Sequence, residues 1–426
     1  MNSGLLDLIG IGIPALLIGL ITLALMVHRE LGPFAGLGRA GKWLLTGLFG
    51  LGFVAFGMKM AVAVAISAGA AEPLIGRAAY PAARDAEAAG EFVNRAPRQP
   101  ERYVWQALPA QAPIPANNPP NPAKLALGKR LFDEKQLSGD RSLACSSCHD
   151  LYRKAGGDGR PTAIGIAAQV GARNTPTVWN AAFQSVLFWD GRAASLEAQA
   201  KGPILNPLEM GLPSPAEAER RLRAEPSYRA DFAEAFGDEA ITFERIAMAL
   251  AAYERTLITP DAPFDRFVRG DPAALSQAQI RGMALFESVG CILCHRGPGF
   301  SDASLLGGQS PLRYFPATAT PYEEKYRLLA ENGGRGVWRV ASLRNVALTG
   351  PWLHNGSVDT LEEVVRIMAA AQLGRSAGLM AWMNQDNALG KVDRSPLSER
   401  EVADIVAFLK SLSSEALVTG ARAKGS

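Results

Sequence analysis

The sequence predicts a mainly α-helical protein: two related helical units behind an N-terminal transmembrane hairpin. Three observations carry this. Apolar residues recur at helical spacing, a short block is repeated before two identical cysteine frames, and the N-terminus carries long uncharged apolar runs. The chain has 426 residues, 48% hydrophobic and 20% charged, which leaves room for more than one globular domain and excludes a disordered or collagen-like chain. A formal net charge of +3 gives no basic surplus for a nucleic-acid binder.

The first apolar run, Leu8 to Val27, is long enough to cross a hydrocarbon core of about 30 Å, with Pro14 as a kink. A second runs from Trp43 to about Ala68 and carries Lys59, whose stem reaches the interface if it lies off the bilayer centre. Arg29, Arg39 and Lys42 between the runs place the loop in the cytoplasm, so all that follows the hairpin is expected outside. A cleaved export signal is the competing reading, with Ser67-Ala-Gly-Ala-Ala71 as the cleavage site and Arg39 and Lys42 as the charged region of a chain begun at Met26. A cleavable core is normally about 7 to 15 residues, which favours the hairpin. Both readings export the remainder. Gly36-Leu-Gly-Arg-Ala-Gly41 matches a dinucleotide fingerprint but follows a membrane-type run and not a strand, so it is set aside. Residues 1–72 are thus expected to anchor the chain, and residues 73–121, rich in Pro and Ala, to form an extended tether.

Beyond the tether the signals are helical. Ser214-Pro-Ala-Glu217, Ser276-Gln-Ala-Gln279 and Ser398-Glu-Arg-Glu401 read as capping boxes. Ile246, Ala249, Leu250, Tyr253 and Leu257 share one helix face, as do Val402, Ile405, Val406, Leu409 and Leu412. No comparable strand alternation is present. Gly128-Lys-Arg-Leu131-Phe132 precedes the first cysteine frame and Gly282-Met-Ala-Leu285-Phe286 the second, with 13 residues from Phe132 to Cys145 but 5 from Phe286 to Cys291. These blocks set domains at 122–262 and 263–415, with a tail at 416–426.

All four cysteines fall in Cys145-Ser-Ser-Cys148-His149 and Cys291-Ile-Leu-Cys294-His295, so no disulfide framework remains. Cys-x-x-Cys-His attaches c-type haem: two thiols form thioethers to the porphyrin and the histidine ligates iron. A redox dithiol or a zinc pair is the alternative, and neither explains a histidine directly after both frames. The chain has four histidines; with His149 and His295 proximal and His28 at the membrane boundary, His354 alone is left. Both irons therefore cannot be bis-histidine, and an iron with an open position can activate a small oxidant.

Over about residues 120–412 the chain resembles the bacterial diheme cytochrome c peroxidases and the related MauG-type diheme enzymes. The resemblance rests on Arg173-Asn174-Thr-Pro-Thr-Val-Trp-Asn-Ala-Ala, Phe188-Trp189-Asp190-Gly191-Arg192-Ala193, Ser195-Leu-Glu-Ala-Gln199-Ala, Asn206-Pro-Leu-Glu209-Met-Gly and Leu343-Arg-Asn-Val-Ala-Leu-Thr349-Gly-Pro351-Trp-Leu-His354-Asn-Gly-Ser. It implies two cytochrome-c-like haem domains facing each other, the haem on His149 peroxidatic and the one on His295 the high-potential electron entry. Met368, 14 residues after His354, matches the axial methionine of the second haem, where MauG-type enzymes carry tyrosine; a core methionine is the alternative. Glu209 matches the distal acid/base, with Gln199 and Pro203 lining its pocket, and Trp189 the ring between the haems, either an electron relay or a buried structural tryptophan. Asn174, Thr349 and Pro351 match an interdomain calcium site of one side-chain oxygen and two backbone carbonyls, and His354 is then expected to hydrogen-bond near the second haem. Many members place a ligating histidine where this chain has Ile166, so the first haem is expected to be open without reductive activation.

The sequence therefore points to a peroxidase anchored in a bacterial inner membrane and facing the periplasm, holding two covalent c-type haems and a calcium ion. It is expected to reduce hydrogen peroxide with electrons from a small c-type cytochrome or cupredoxin, with a homodimer as an expected assembly and no nucleic-acid partner. Two other readings stand beside it. A MauG-like oxidase would modify aromatic residues of a partner protein, and Met368 argues against it. An electron-transfer cytochrome would have both irons six-coordinate and no use for Glu209.

Overall fold

A computed structural model describes residues 103–317, 320–330, 333–373 and 397–423, with scattered positions between Val27 and Leu51. The chain divides into two units, Met1–Ile75 and Gly76–Ser426. In the first, residues 39–45 are helical, and Trp43, Leu44, Leu48 and Leu51 are all exposed. Most of the two expected membrane spans lies outside the described residues. Among the described residues no helix is long and apolar enough to cross a membrane.

The second unit is mainly helical. Its longer helices are α1 (Pro122–Phe132), α2 (Leu196–Leu205), α3 (Pro215–Arg223), α4 (Pro226–Phe236), α5 (Phe243–Glu254), α6 (Pro263–Val268), α7 (Gln277–Ser288), α8 (Leu361–Met368), α9 (Glu399–Lys410) and α10 (Glu415–Ala423). Between α7 and α8 a short antiparallel ribbon pairs β1 (Leu312–Phe315) with β2 (Gly336–Arg339), in the register Leu312↔Arg339 to Phe315↔Gly336. This ribbon was not legible in the sequence, because strands of four residues are too short to establish an alternation.

One helix crossing organises each domain, and the sequence repeat supplies its contact residue. The Asn121 side chain accepts from Lys124 N to start α1, and Thr242 accepts from Arg245 N to start α5. Where the two cross, a Cβ on Gly128 would lie 2.0 Å from the Ala249 carbonyl oxygen, so only glycine admits the approach. In the second domain α7 crosses α9 in the same way, and a Cβ on Gly282 would lie 1.8 Å from the Asp404 carbonyl oxygen. The apolar stripes close these contacts. Leu131, Phe132, Ile246 and Leu250 belong to one core, and Phe286, Ile405, Phe408 and Leu409 to the other.

Capping follows expectation with one difference. Ser276 with Gln279 and Ser398 with Glu401 form reciprocal boxes. Ser214 caps α3 from one side only, because the Glu217 carboxylate turns to Arg220 and Arg221. Arg221 then reaches the carbonyls of Gln136, Ser138 and Gly139, pinning the longer Phe-to-Cys connection of the first domain.

The stretch read as a tether is anchored from Tyr103 onward. Trp105 is 2% exposed and packs among Phe264, Phe300 and Phe408 of the second core, while Leu108 N donates to Asp265 Oδ1. Further along, Asn118 donates to Glu197 Oε1 and to the Met248 carbonyl of the first domain. The segment is a strap across both domains.

Candidate functional site

The two cysteine frames open onto one cleft between the domains, with an empty volume of about 2600 Å³ including the part open to solvent. Cys145, Cys148, His149, Cys294 and His295 line it, and all four thiols are free. The His149 ring donates through Nδ1 to the Gly156 carbonyl at 2.8 Å, and the His295 ring through Nδ1 to the Phe300 carbonyl at 3.1 Å. Such bonds fix each ring and leave Nε2 as the ligating atom. Burial lowers both imidazole pKa values, which keeps them in the neutral, metal-binding form. Phe132 and Phe286, the last residues of the repeated block, sit with ring centroids 6.4 and 6.5 Å from His149 and His295.

The alternatives for the frames fare worse. Burial pushes the Cys145 and Cys291 thiols up to about 12, opposite to the stabilised thiolate of a redox dithiol. Among the described residues no His, Cys, Asp and Glu cluster has the makings of a zinc site. Free thiols beside a fixed imidazole on an enclosed cleft fit covalently held haem.

Glu209, Gln199 and Pro203 all line this cleft. Gln199 and Pro203 ride on α2, which Ser195 caps, and Glu209 stands in the turn that follows. Asn206 builds that turn: its carbonyl accepts from Glu209 N and Gly211 N, its Oδ1 from Leu208 N, and its Nδ2 donates to Glu209 Oε1 at 2.7 Å. Among the described residues Glu209 Oε2 has no hydrogen-bond partner. Burial raises the Glu209 pKa, against the opposing pull of Asn206 and Arg192. Ile164, and not Ile166, lines the cleft; Ile166 packs toward Gly139 and Gly211 and donates its N–H to the Glu209 carbonyl.

Trp189 lies on the same wall, its indole N–H donating to the Asn174 carbonyl at 2.8 Å. Its ring meets His354 edge-on at 6.4 Å, and His354 stacks on Trp338 at 4.2 Å. Met368, at the end of α8, lines the cleft and packs against the small cluster of Phe315, Trp338 and Ile367. Asn174, Thr349 and Pro351 also line it. Asn174 Nδ2 donates to the Arg160 carbonyl, Asn174 N donates to the His354 carbonyl, and Thr349 Oγ1 donates to the Val346 carbonyl.

Three lining residues escaped the sequence reading. Glu254 ends α5 buried, and burial raises its carboxyl to about 8. Trp338 buries an indole N–H that has no partner. Arg339 crosses from β2 to the first domain. Glu254 carried a faint signal, an acid directly after the apolar stripe, while the other two sit in strands too short to read.

Comparison with known proteins follows the same lines. Residues 122–273 match the family described as di-haem cytochrome c peroxidase. The chain is 38% identical over 322 residues to a cytochrome c551 peroxidase of Pseudomonas aeruginosa, covering 73% of this chain and 84% of that one. It is 34% identical over 312 residues to a methylamine utilization protein MauG of Methylophilus methylotrophus, covering 72% and 88%. Among solved structures it resembles a MauG-like protein associated with microbial copper homeostasis, at 33% identity and a TM-score of 0.59, covering 73% of this chain and 96% of that one.

Proposed function

The chain belongs to the di-haem cytochrome c peroxidase family, and from that membership we propose that it reduces hydrogen peroxide to water with electrons from a small redox protein. The observation that carries this reading is Glu209 Oε2, a carboxylate oxygen without a hydrogen-bond partner among the described residues, in the cleft shared by both Cys-x-x-Cys-His frames. Cys145, Cys148 and His149 would hold one haem, and Cys291, Cys294 and His295 the other. Bound there, the haems supply the one-electron and oxygen chemistry.

The chain's own residues divide the remaining work. One peroxide, two electrons and two protons give two waters. Glu209 Oε2 takes the proton from one peroxide oxygen and returns it to the other, which leaves as water. Burial raises its pKa above the ordinary carboxylate value, which makes the carboxyl a better proton acceptor for this exchange. Asn206 holds the other carboxylate oxygen, so the catalytic one stays aimed into the cleft. Gln199 and Pro203 shape the wall beside it. Trp189 offers an oxidisable ring between the two frames, held by Asn174 at its N–H and by Arg339 N at its carbonyl. Met368 supplies a thioether for the second haem, which favours electron collection over the partner-modifying chemistry of a MauG-like oxidase.

The carbonyls of Thr349 and Pro351 with the Asn174 side chain offer hard oxygen ligands for a calcium ion. The exposed Trp43, Leu44, Leu48 and Leu51 support tethering of the N-terminal unit to a bilayer, with the haem domains in the periplasm and a soluble c-type cytochrome or cupredoxin as donor. A homodimer belongs to the same proposal.

The test is steady-state oxidation of a reduced donor cytochrome by hydrogen peroxide, using the haem-loaded full chain without pre-reduction. Glu209→Gln should lower turnover by ~10²-fold or more with haem content unchanged. Absence of turnover with any competent donor would sink the peroxidase reading.

A further inference from the structure

Arg339 ends β2 in the second domain, and its side chain reaches into the first. Nε donates to the Phe188 carbonyl at 3.0 Å and Nη1 to Gln184 Oε1 at 2.9 Å. Both acceptors are neutral. Among the described residues Nη2 has no acceptor and no carboxylate pairs with the guanidinium. Asp190, next in the chain to the Trp189 whose carbonyl Arg339 N contacts, holds Arg173 and Arg192, and Asp302 holds Arg296 and Arg313. The other enclosed arginines differ on this point, for Arg255 is paired with Glu197, Arg281 with Asp404 and Arg344 with Asp265.

A cation removed from water without an anion is among the costlier arrangements a fold can hold. Protein enclosure of Arg339 is deep enough to bring its pKa down to about 10, with burial as the cause. The surface it keeps is toward the cleft that it lines together with both Cys-x-x-Cys-His frames. Half-buried on a cleft that is partly open to solvent, the guanidinium is placed to meet an anion of whatever fills that cleft.

We propose that Arg339 binds a propionate carboxylate of a haem held in the cleft, as the anion that completes its charge. This rests on the reading that the two frames carry haem. A guanidinium fork suits a carboxylate, which can take one bond from Nη2 and another from the same edge. The arrangement has a second consequence. Phe188 is held at φ 64°, a left-handed conformation unusual for a bulky residue, and Arg339 donates from its side chain to the Phe188 carbonyl and from its backbone to the Trp189 carbonyl at 2.6 Å. Arg339 is thus a positioning residue that ties the haem carboxylate to the loop carrying Trp189. Besides the cysteines and histidines of the two frames, the other charged or titratable side chains around the cleft are Arg173, Arg192, Arg313, Glu209, Glu254 and His354.

The experiment is an optical redox titration of both haems in the full-length protein at several pH values, for wild type, Arg339→Gln and Arg339→Lys. In Arg339→Gln, loss of the positive charge should lower one midpoint potential, shifting the reduced-to-oxidised ratio at fixed electrode potential by about tenfold. That midpoint should also gain pH dependence, because the released carboxylate then titrates. Arg339→Lys should retain most of the wild-type behaviour. Two haems per chain with both midpoints unchanged in Arg339→Gln would overturn the proposal, as would equal shifts in the Gln and Lys variants, which would mean that only the backbone contacts matter. If Arg339→Gln does not accumulate, infrared redox-difference spectra of the wild type decide: an ionised haem carboxylate at mildly acidic pH supports the pairing, and protonated carboxyls on both haems there overturn it. Fewer than two haems per wild-type chain, by pyridine haemochrome assay, would overturn the underlying haem reading and this proposal with it.

Discussion

Glu209 and Glu254 face the same cleft with carboxyls raised by burial, but their surroundings assign them different work. Glu209 stands in a turn that Asn206 holds, with one oxygen left for a ligand. Glu254 ends a helix, with no hydrogen-bond partner for its carboxyl among the described residues. The matched crossings at Gly128 and Gly282 bring Tyr253 and Phe408 to equivalent contacts, so the next residue, Glu254 in the first domain, is Leu409 in the second. A carboxyl thus replaces a core leucine beside the first haem frame. Its pKa of about 8 in the folded chain lies above the ordinary value of 4.5, so the folded protein keeps a proton that the unfolded chain has lost. Stability from this group is full below the unfolded value and falls as pH rises toward 8. Glu254→Gln, which stays neutral, should gain on the wild type across that window by on the order of 1 kcal/mol per pH unit. Denaturant unfolding of both proteins at mildly acidic and mildly basic pH measures this, and a difference that does not change with pH would refute it. Ile166 makes a second residue-scale case. The histidines lining the cleft are His149, His295 and His354, and His354 is stacked on Trp338. A first haem without a second histidine, the reading proposed from Ile166, predicts a high-spin EPR signal from the resting ferric protein. Low-spin signals alone would contradict it.

At the scale of elements, what the sequence revealed and what it concealed have the same cause. The helices of the two domains were legible because each must bury a stripe, and Ile246, Leu250, Val402 and Ile405 all lie in the cores. The repeat was legible because both crossings demand glycine at one point. The ribbon β1–β2 was not legible, and the loop bearing Trp189 was legible only through resemblance, since their conformations are fixed by partners distant in the chain, such as Arg339 on the Phe188 carbonyl. Nor was the strap legible, whose Pro and Ala content reads as a tether although Trp105 is buried. The crossings give a direct prediction. Gly128→Ala and Gly282→Ala each place a Cβ against a backbone carbonyl, which no side-chain rotation relieves. Each should destabilise its domain by about 1–3 kcal/mol through overpacking. Thermal unfolding of haem-loaded protein would show it, and a variant as stable as the wild type would mean that the helices separate freely.

For the whole molecule the question is whether the two domains behave as one body, since a relay through Trp189 requires a fixed separation of the haem frames. Three sets of contacts cross between them. Asn180 and Asn345 both bond Thr259 Oγ1 at the domain junction. Ser185 N donates to the Ala303 carbonyl, Leu305 N to the Phe183 carbonyl, Asn174 N to the His354 carbonyl and Arg339 N to the Trp189 carbonyl. The strap adds a third, with Trp105 in the second core and Asn118 bonded to Glu197, whose carboxylate Arg255 and Asn118 hold at about 2 against the upward pull of burial. Backbone bonds and a shared buried carboxylate do not loosen one domain at a time, so local opening in one should propagate to the other. Trp105→Ala removes a large ring from the second core, at a cost of about 3–5 kcal/mol. Its effect should not stop there. Hydrogen exchange followed by mass spectrometry should accelerate in α7 and α9, which contact the ring's cluster, and also in α1 and α5, which do not. Faster exchange confined to α7 and α9 would mean two independent folding units, and the separation of the haem frames would then have to be fixed by the haems and the Arg339 contact and not by the protein as a whole.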